Sequence, residues 1–419
     1  MLTVTRVESH IFKNNKELDK LCFKSKNLYN SGLYLFKQAL LNENRWLFYS
    51  DFVKYFMVTD VYKELPAQVA QQTLRMLDKN IKSYIRSIKD WSKNKSKYKG
   101  QPALPHYLDS KSGRFVYINP GQSISRKDDT ITLLKKAFKF KTKVQTDWKI
   151  NEVRIVPKLG YHKVEVVYQK PVQLNDTKIL TRFLGIDLGL DNLMSITNID
   201  TNRPEALCNK LLEIAGDMSD FSTLVKGIQI KSFNQFYNKQ LAQIKSVLKT
   251  VNNKHWSKKL SILTLKRNQK IEDYLHKASR TIIDLALQFQ IGTIVIGHNK
   301  DWKQEIELGK RNNQNFIGVP FNKLIQMIQY KAEEVDIKVV VVEESYTSKI
   351  DHLAKEPMKK QENYLGKRIK RGLFQSSVGK LINADINGAI GILRKVVGDD
   401  FLGNLINRGD VFSPVKLSI

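Results

Sequence analysis

Two aspartates stand in sequence settings suited to metal-assisted phosphate chemistry. Asp187 lies in FLGIDLG, a short apolar run that reads as a strand stopped by an acid between Gly185 and Gly189. Asp385 lies in NADINGAIGILRK, which reads as the first turn of a helix, where a carboxylate gains from the positive dipole end. Phosphodiester hydrolysis by two divalent ions needs carboxylates from separate elements to converge, because the ions stand ~3.5–4 Å apart and hard Mg2+ takes oxygen donors. A bridging aspartate belongs at an open strand end, and the two glycines leave space around Asp187. Each motif also has a second reading. Sugar kinases and actin-like ATPases use a similar strand–Asp–x–Gly turn, and Asp385 alone would pass for an ordinary helix cap. No P-loop is present.

Elements must place these acids, and from Phe183 onward the pattern is α/β. FLGIDLG and NLMSITN read as neighbouring strands. A long helical stretch follows, with Leu260, Leu263, Arg267, Ile271, Leu275, Ala278, Ile282 and Phe289 at helical spacing. GTIVIG, a helix from Phe321 to Val335 and IKVVVVEE then form a strand–helix–strand unit, which predicts parallel pairing. Upstream, the stripes Leu18 to Phe36 and Val69 to Ile88 predict two helices. Residues 112–170 change to a period of two, with EVRIVP and KVEVVYQ joined as a hairpin across LGYH. A first strand, Leu2 to Val7, is expected to complete that β module.

The 419 residues carry 70 Lys and Arg against 41 Asp and Glu, a net charge of +29. Self-repulsion on this scale is relieved by a polyanion, and nucleic acid fits; an anionic membrane surface or a heparin-like polymer is the other reading. Cys22 and Cys208 are the only cysteines, which excludes a disulfide framework and a four-cysteine zinc site within one chain. Cys22 lies on the apolar stripe and reads as core. MLTVTRVESH lacks the pattern of a secretory leader, and no run approaches the ~18 apolar residues of a membrane span. The chain is therefore expected to be soluble and cytoplasmic, associated with the nucleoid, with no membrane partner.

Taken together, FLGIDLGLDNLMSITN, the basic stretches KSFNQFYNKQLAQIKS and KRNQKIEDYLHKASRTII, SYTSK and NADINGAIGILRK resemble the TnpB family, which insertion sequences carry and which is kin to the type V CRISPR effector nucleases. The resemblance spans nearly the whole chain and implies a multidomain α+β and α/β fold. A helical recognition lobe would occupy 13–99, and a β-barrel wedge 1–12 with 100–178. An RNase H-like (RuvC) domain would occupy 179–349 with 379–398, its basic helical lid within 225–290. Residues 350–378 would form an insert at the zinc-ribbon position, and 399–419 a C-terminal tail. The resemblance also implies an activity. A guide RNA from the transposon end would pair with one strand of double-stranded DNA bearing a short flanking motif, and the RuvC site would cut that DNA with two Mg2+ ions, Mn2+ being a substitute. Lys266, Arg267, Lys270, His276, Lys277 and Arg280 are then expected at the lid and guide duplex. Lys367, Arg368, Lys370 and Arg371 of the KRIKR run are also expected on nucleic acid. So are Arg114, Arg126, Lys135, Lys136, Lys139, Lys141 and Lys143 of the β module, interleaved with Phe138, Phe140 and Trp148.

The chain departs from the family pattern twice. Relatives carry their second catalytic glutamate at the end of the strand that here reads GTIVIGHNKDWKQE, where this chain has Gly297, His298 and Asn299. The following strand ends in VVVVEESYTSK. Adjacent strands lie ~4.8 Å apart, so an acid there would reach the same ions from next door. Glu344 takes the position that resembles the Pro of an Asx-Pro turn in related sequences and is the expected ligand, with Glu343 as fallback; Asp301 and His298 are weaker substitutes. If the two acids are only a polar strand end, the chain would be a repressor-like, RNA-guided DNA binder that does not cut. A transposase joining DNA ends is a further reading, disfavoured by the lid insert and SYTSK. Relatives also place two Cys-x-x-Cys pairs after the TSK segment, where IDHLAKEPMKKQENYLGKRIKRGLFQSSVGK has no cysteine. His352 alone cannot replace four ligands, so no structural zinc is expected.

Overall fold

The computed structural model describes residues 3–133, 138–201, 220–252, 255–299, 314, 317–406 and 408–419. Leu2, Lys135, Lys136, Cys208 and Asp301, singled out above, lie outside the described residues. The chain divides into two compact units, Met1–Pro171 and Val172–Ile419.

In the first unit, β1 (Thr3–Lys13) pairs antiparallel with β7 (Tyr161–Pro171), β7 with β6 (Ile150–Lys158), and β6 with β2 (Tyr117–Pro120). The β6–β7 hairpin turns at Gly160, whose φ of +88° suits glycine. Helix α1 (Lys16–Glu43) starts where Asn15 accepts the Leu18 N–H at 3.0 Å. Its fully buried Leu18, Cys22, Leu28, Leu33 and Phe36 share one core with Val69, Leu74, Leu77 and Ile81 of α4 (Ala67–Lys93). Shorter helices α2 (Tyr49–Phe56) and α3 (Asp60–Lys63) join them.

A small antiparallel sheet of β3 (Ser125–Lys127), β4 (Thr130–Leu133) and β5 (Phe138–Lys141) corrects one expectation. Phe138 and Phe140 are only 5% and 7% exposed and stack edgewise on Phe12, so they are core and not platforms for bases. Trp148 stacks on Tyr168 instead. The alternation of a strand explains this, because the same pleat that turns Lys139 and Lys141 outward turns the phenyl rings inward. Arg114 and Arg126 are likewise engaged within the unit, Arg114 on Asp19 at 2.7 Å and Arg126 on the carbonyls of Asp128 and Gln145.

The second unit is built on a six-stranded sheet with the order β12-β11-β8-β9-β10-β16. Its strands are β8 (Ile179–Leu188), β9 (Asn192–Asp200), β10 (Ser222–Lys226), β11 (Ile291–Gly297), β12 (Lys338–Val342) and β16 (Val415–Leu417). β8 runs antiparallel to β9 and parallel to β11, and β11 runs parallel to β12 across helix α7 (Phe321–Glu334). Helices α5 (Ile228–Asn252) and α6 (Lys258–Gln288) connect β10 to β11. Leu184, Ile186, Ile294 and Ile296 share a core with α6 and α7, whereas Val295 belongs to the core that α8 (Ala384–Val397) forms on the other face. A three-stranded sheet of β13 (Lys367–Lys370), β14 (Leu373–Gln375) and β15 (Leu381–Asn383) leads into α8. Among the described residues, no helix is long and apolar enough to cross a membrane.

Candidate active site

The pleat decides which side Asp187 serves. Leu184, Ile186 and Leu188 point into the α6–α7 core, so Gly185 and Asp187 point to the face that α8 covers. Glycines let the helix lie close there. A Cβ on Gly185 would stand 2.6 Å from Cγ of Leu393 and 2.8 Å from the Ala389 carbonyl, and one on Gly388 would stand 2.7 Å from Oδ2 of Asp187. Small residues on both surfaces thus bring Asp187 against the first turns of α8.

Asp385 occupies that first turn without capping it. The cap is Asn383, whose Oδ1 accepts the N–H groups of Asp385 at 3.0 Å and Ile386 at 3.2 Å. The carboxylate of Asp385 is left for other partners. It accepts from Nδ2 of Asn192 at 2.8 Å and lies 3.4 Å from the guanidinium of Arg368.

Glu344 reaches the same face from the neighbouring strand. β11 pairs with β8 at Ile296–Ile186 and with β12 at Gly297–Val342, which puts Gly297 beside Asp187 in register. A Cβ built on Gly297 would stand 2.7 Å from Cγ and 2.9 Å from Oε1 of Glu344. The glutamate therefore folds back into the space that a side chain at 297 would fill. Its N–H donates to Oδ1 of Asn299 at 2.8 Å, and its carbonyl accepts the Thr347 hydroxyl at 2.8 Å. Lys395 of α8 ties down the same strand end, donating to the Glu343 carbonyl at 2.6 Å and lying 3.1 Å from the Ser345 hydroxyl. Glu343 itself is exposed.

Electrostatics tie the three acids together. Burial, and then the charges of Glu344 and Asp385, hold the Asp187 carboxyl well above the usual carboxylate range. Burial pushes Glu344 up to about 7, against the opposing pull of Lys395. Oε1 of Glu344 is buried and accepts no hydrogen bond from the protein. Mutually repelling carboxyls with an unanswered oxygen have the chemistry that a hard divalent cation answers. Among the described residues, however, no three acid, His or Cys side chains are grouped so that they could hold one metal ion. The partners of Asp385 are instead Asn192 and Arg368.

The basic residues expected on nucleic acid fall into two groups. Lys367, Arg368, Lys370 and Arg371 are exposed on β13 and its turn; Arg368 reaches the site at Asp385, and Arg371 pairs with Asp191, which also holds Lys231 of α5. On α6, Lys266, Lys270, His276, Lys277 and Arg280 are exposed, with Lys277 and Arg280 in helical ion pairs to Asp273 and Asp284. Arg267 differs, since its guanidinium donates to Oδ1 of Asn234 at 2.8 Å and to the Gly318 carbonyl at 2.9 Å, bracing α6 against α5. Sequence reasoning missed Asn192 and gave Asn299 no role. The only available signal was their position just past the ends of the two strands that carry Asp187 and Gly297.

Residues 163–303 match the OrfB_IS605 family, described as a probable transposase, and residues 321–392 match a Cas12f1-like TNB domain. The chain is 29% identical over 183 residues to the TnpB-like protein ORF457 of Acidianus two-tailed virus, a stretch covering 42% of this chain and 37% of that protein. It is 24% identical over 249 residues to the CRISPR-associated endodeoxyribonuclease Cas12f2 of a Micrarchaeota archaeon, covering 57% of this chain and 41% of that one. Each match thus spans less than half the length of the curated relative. The cryo-EM structure of a Cas12f1–sgRNA–target DNA complex superposes with a TM-score of 0.53 over 90% of this chain and 83% of that one, at 15% identity, a likeness of fold.

Proposed function

This chain belongs to the TnpB (OrfB) family, carries a Cas12f1-like TNB segment and is related to the type V CRISPR effectors, and on that footing we propose that it is an RNA-guided DNA endonuclease. Its RNase H-like (RuvC) site consists of Asp187, Glu344 and Asp385. The observation that carries this reading is the Glu344 side chain lying over Gly297, beside Asp187. An acid lost from one strand is replaced by an acid from the next, on the same face and facing the same helix.

Asp187, Glu344 and Asp385 would be the residues that hold the two Mg2+ ions, and ions bound there would supply an activated water and neutralise charge on the leaving 3′ oxygen. The protein's own part is positioning. Asn192 orients Asp385, Asn299 and Thr347 fix the turn bearing Glu344, and α8 excludes bulk water from one side of Asp187. A guide RNA derived from the transposon end supplies sequence specificity by pairing with one strand of double-stranded target DNA next to a short flanking motif. The surplus of +29 suits a protein that holds an RNA–DNA duplex by backbone charge. Its affinity for the guide–target duplex is expected to fall linearly in log–log form with salt, by roughly a thousandfold between about 50 and 200 mM. A flat profile in filter binding would argue against a charge-held duplex.

Asn299 provides a finer check. Asn299→Leu removes the acceptor of the Glu344 N–H and is expected to raise the Mg2+ concentration for half-maximal cleavage by about 10- to 100-fold. Asn299→Asp keeps that acceptor and is expected to stay within a few-fold of the parent. Superimposable Mg2+ titrations for Asn299→Leu and parent would remove Asn299 from this role.

A protein that binds RNA and DNA without cutting is the competing reading, and the Arg368–Asp385 pair favours it, since a guanidinium can neutralise Asp385 in place of an ion. One experiment separates the two: the copurifying RNA is sequenced, and the complex is mixed with Mg2+ and DNA matched to that RNA. Cut product supports the nuclease. Stable binding with intact DNA supports the binder.

A further inference from the structure

The TNB-like segment between β12 and α8 is where relatives of this chain carry two Cys-x-x-Cys pairs, a set that holds zinc through two short turns. The residues here do not fit such an ion. They offer no thiol, and Ala354 and Gly379, each three residues after a candidate ligand, have no side-chain atom that could ligate a metal. The nearby His352 has both ring nitrogens engaged, Nε2 with the Thr347 carbonyl at 2.8 Å and Nδ1 with Arg394 at 2.9 Å. Its complete burial pushes its pKa down to about 4, consistent with a neutral ring that accepts from the guanidinium.

Two turns with that spacing are nevertheless present, and they face each other. In the first, the N–H of Ala354 donates to Oδ1 of Asp351 at 3.2 Å. In the second, the N–H of Val378 donates to the Ser376 hydroxyl oxygen at 3.3 Å, and the N–H of Gly379 to the Ser376 carbonyl at 3.1 Å. Asp351 joins them. Its carboxylate accepts the Ser376 hydroxyl at 2.8 Å, the Ser377 N–H at 2.6 Å and the Ser377 hydroxyl at 3.0 Å. Asp351 has no exposed surface and Ser376 only 3%, so the Asp351–Ser376 bond forms away from water, where such a bond is strongest, while Ser377 closes the exposed side. Glu356, also buried, clasps the outer loop by accepting the N–H groups of Asp351 at 2.7 Å and Leu365 at 3.0 Å.

We infer that the Asp351–Ser376–Ser377 knot does for this segment what a structural metal ion would do: it clamps two four-residue turns, 351–354 and 376–379, to each other without an ion. The first turn is also fastened to α8 on either side. Asn387 donates to the Ile350 carbonyl at 2.9 Å, and Arg394 donates to the Glu356 carbonyl at 3.0 Å. The knot therefore fixes the hairpin that carries Arg368, independently of whether the protein cuts DNA.

The test uses the full-length protein and readouts other than cleavage. Elemental analysis of the purified chain is expected to find below ~0.1 zinc per protein, and a zinc-selective chelator added in the presence of Mg2+ is expected to leave Tm unchanged. Asp351→Ala is expected to lower Tm by about 5 °C or more, and the milder Ser376→Ala by a smaller amount in the same direction. Stoichiometric zinc in the parent protein, a chelator-induced fall in its Tm, or unchanged melting of both single variants would each overturn the inference.

Discussion

Asp187→Ala is expected to abolish cleavage of guide-matched DNA while leaving RNA and DNA binding intact. Asp187 stands between the other two acids, and their charges together with burial already hold its carboxyl above the ordinary range. On the proposed assignment its removal deletes a ligand of the metal pair, so the loss should reach at least about a thousandfold, ~4 kcal/mol of transition-state stabilisation. The backbone pairing of residue 187 with Ser195 does not depend on the side chain, so the sheet should survive. Stability gives a second readout with a definite sign. A carboxyl whose folded pKa is raised destabilises the fold above its unfolded pKa, and that penalty vanishes as the pH falls below it. Near neutral pH and without metal, the variant should therefore melt no lower than the parent. Plasmid cleavage at parental rate by Asp187→Ala would falsify the site assignment.

The second large effect belongs to Glu344. Glu344→Gln should lower the cleavage rate by about a hundredfold or more, ~3 kcal/mol, whereas Glu343→Gln should stay within a few-fold. The contrast follows from burial: the Glu343 side chain is exposed, with its backbone carbonyl on Lys395 of α8, while Glu344 lies over Gly297. Gly297→Ala should reproduce part of the loss without touching an acid. Its new methyl group would meet Cδ1 of Ile392 at 2.4 Å and Cγ of Glu344 at 2.7 Å, so both side chains must move and the glutamate is displaced with the isoleucine. Full activity in Glu344→Gln with loss in Glu343→Gln would transfer the role to Glu343. Full activity in all three variants would leave the site without a third acid.

How much of this was legible in the sequence depends on the range of the interaction. Helix α1, the β6–β7 hairpin and the β11–α7–β12 unit follow from periodicity, because local period reports which face is buried. Asp187 and Asp385 are legible as an acid at a strand end and an acid in a first turn. The space over Gly297 is half-legible: a missing acid and a surplus one can be read, but the side chain folding back from β12 cannot. Contacts across long separations left no trace at all. Asp351 meets Ser376 25 residues away, and Asn192 meets Asp385 193 residues away, with no repeat to announce either. Aromatic and basic residues misled for the opposite reason. Phe138 and Phe140 sit in a run with the composition of a nucleic-acid surface, and only their burial assigns them to the interior, while half-buried Arg267 is held by Asn234.

The room above β11 holds one carboxylate side chain. A side chain at 297 and the carboxylate of Glu344 would compete for the same space, so a glutamate installed at 297 has to displace or replace the one at 344 and cannot simply be added to it.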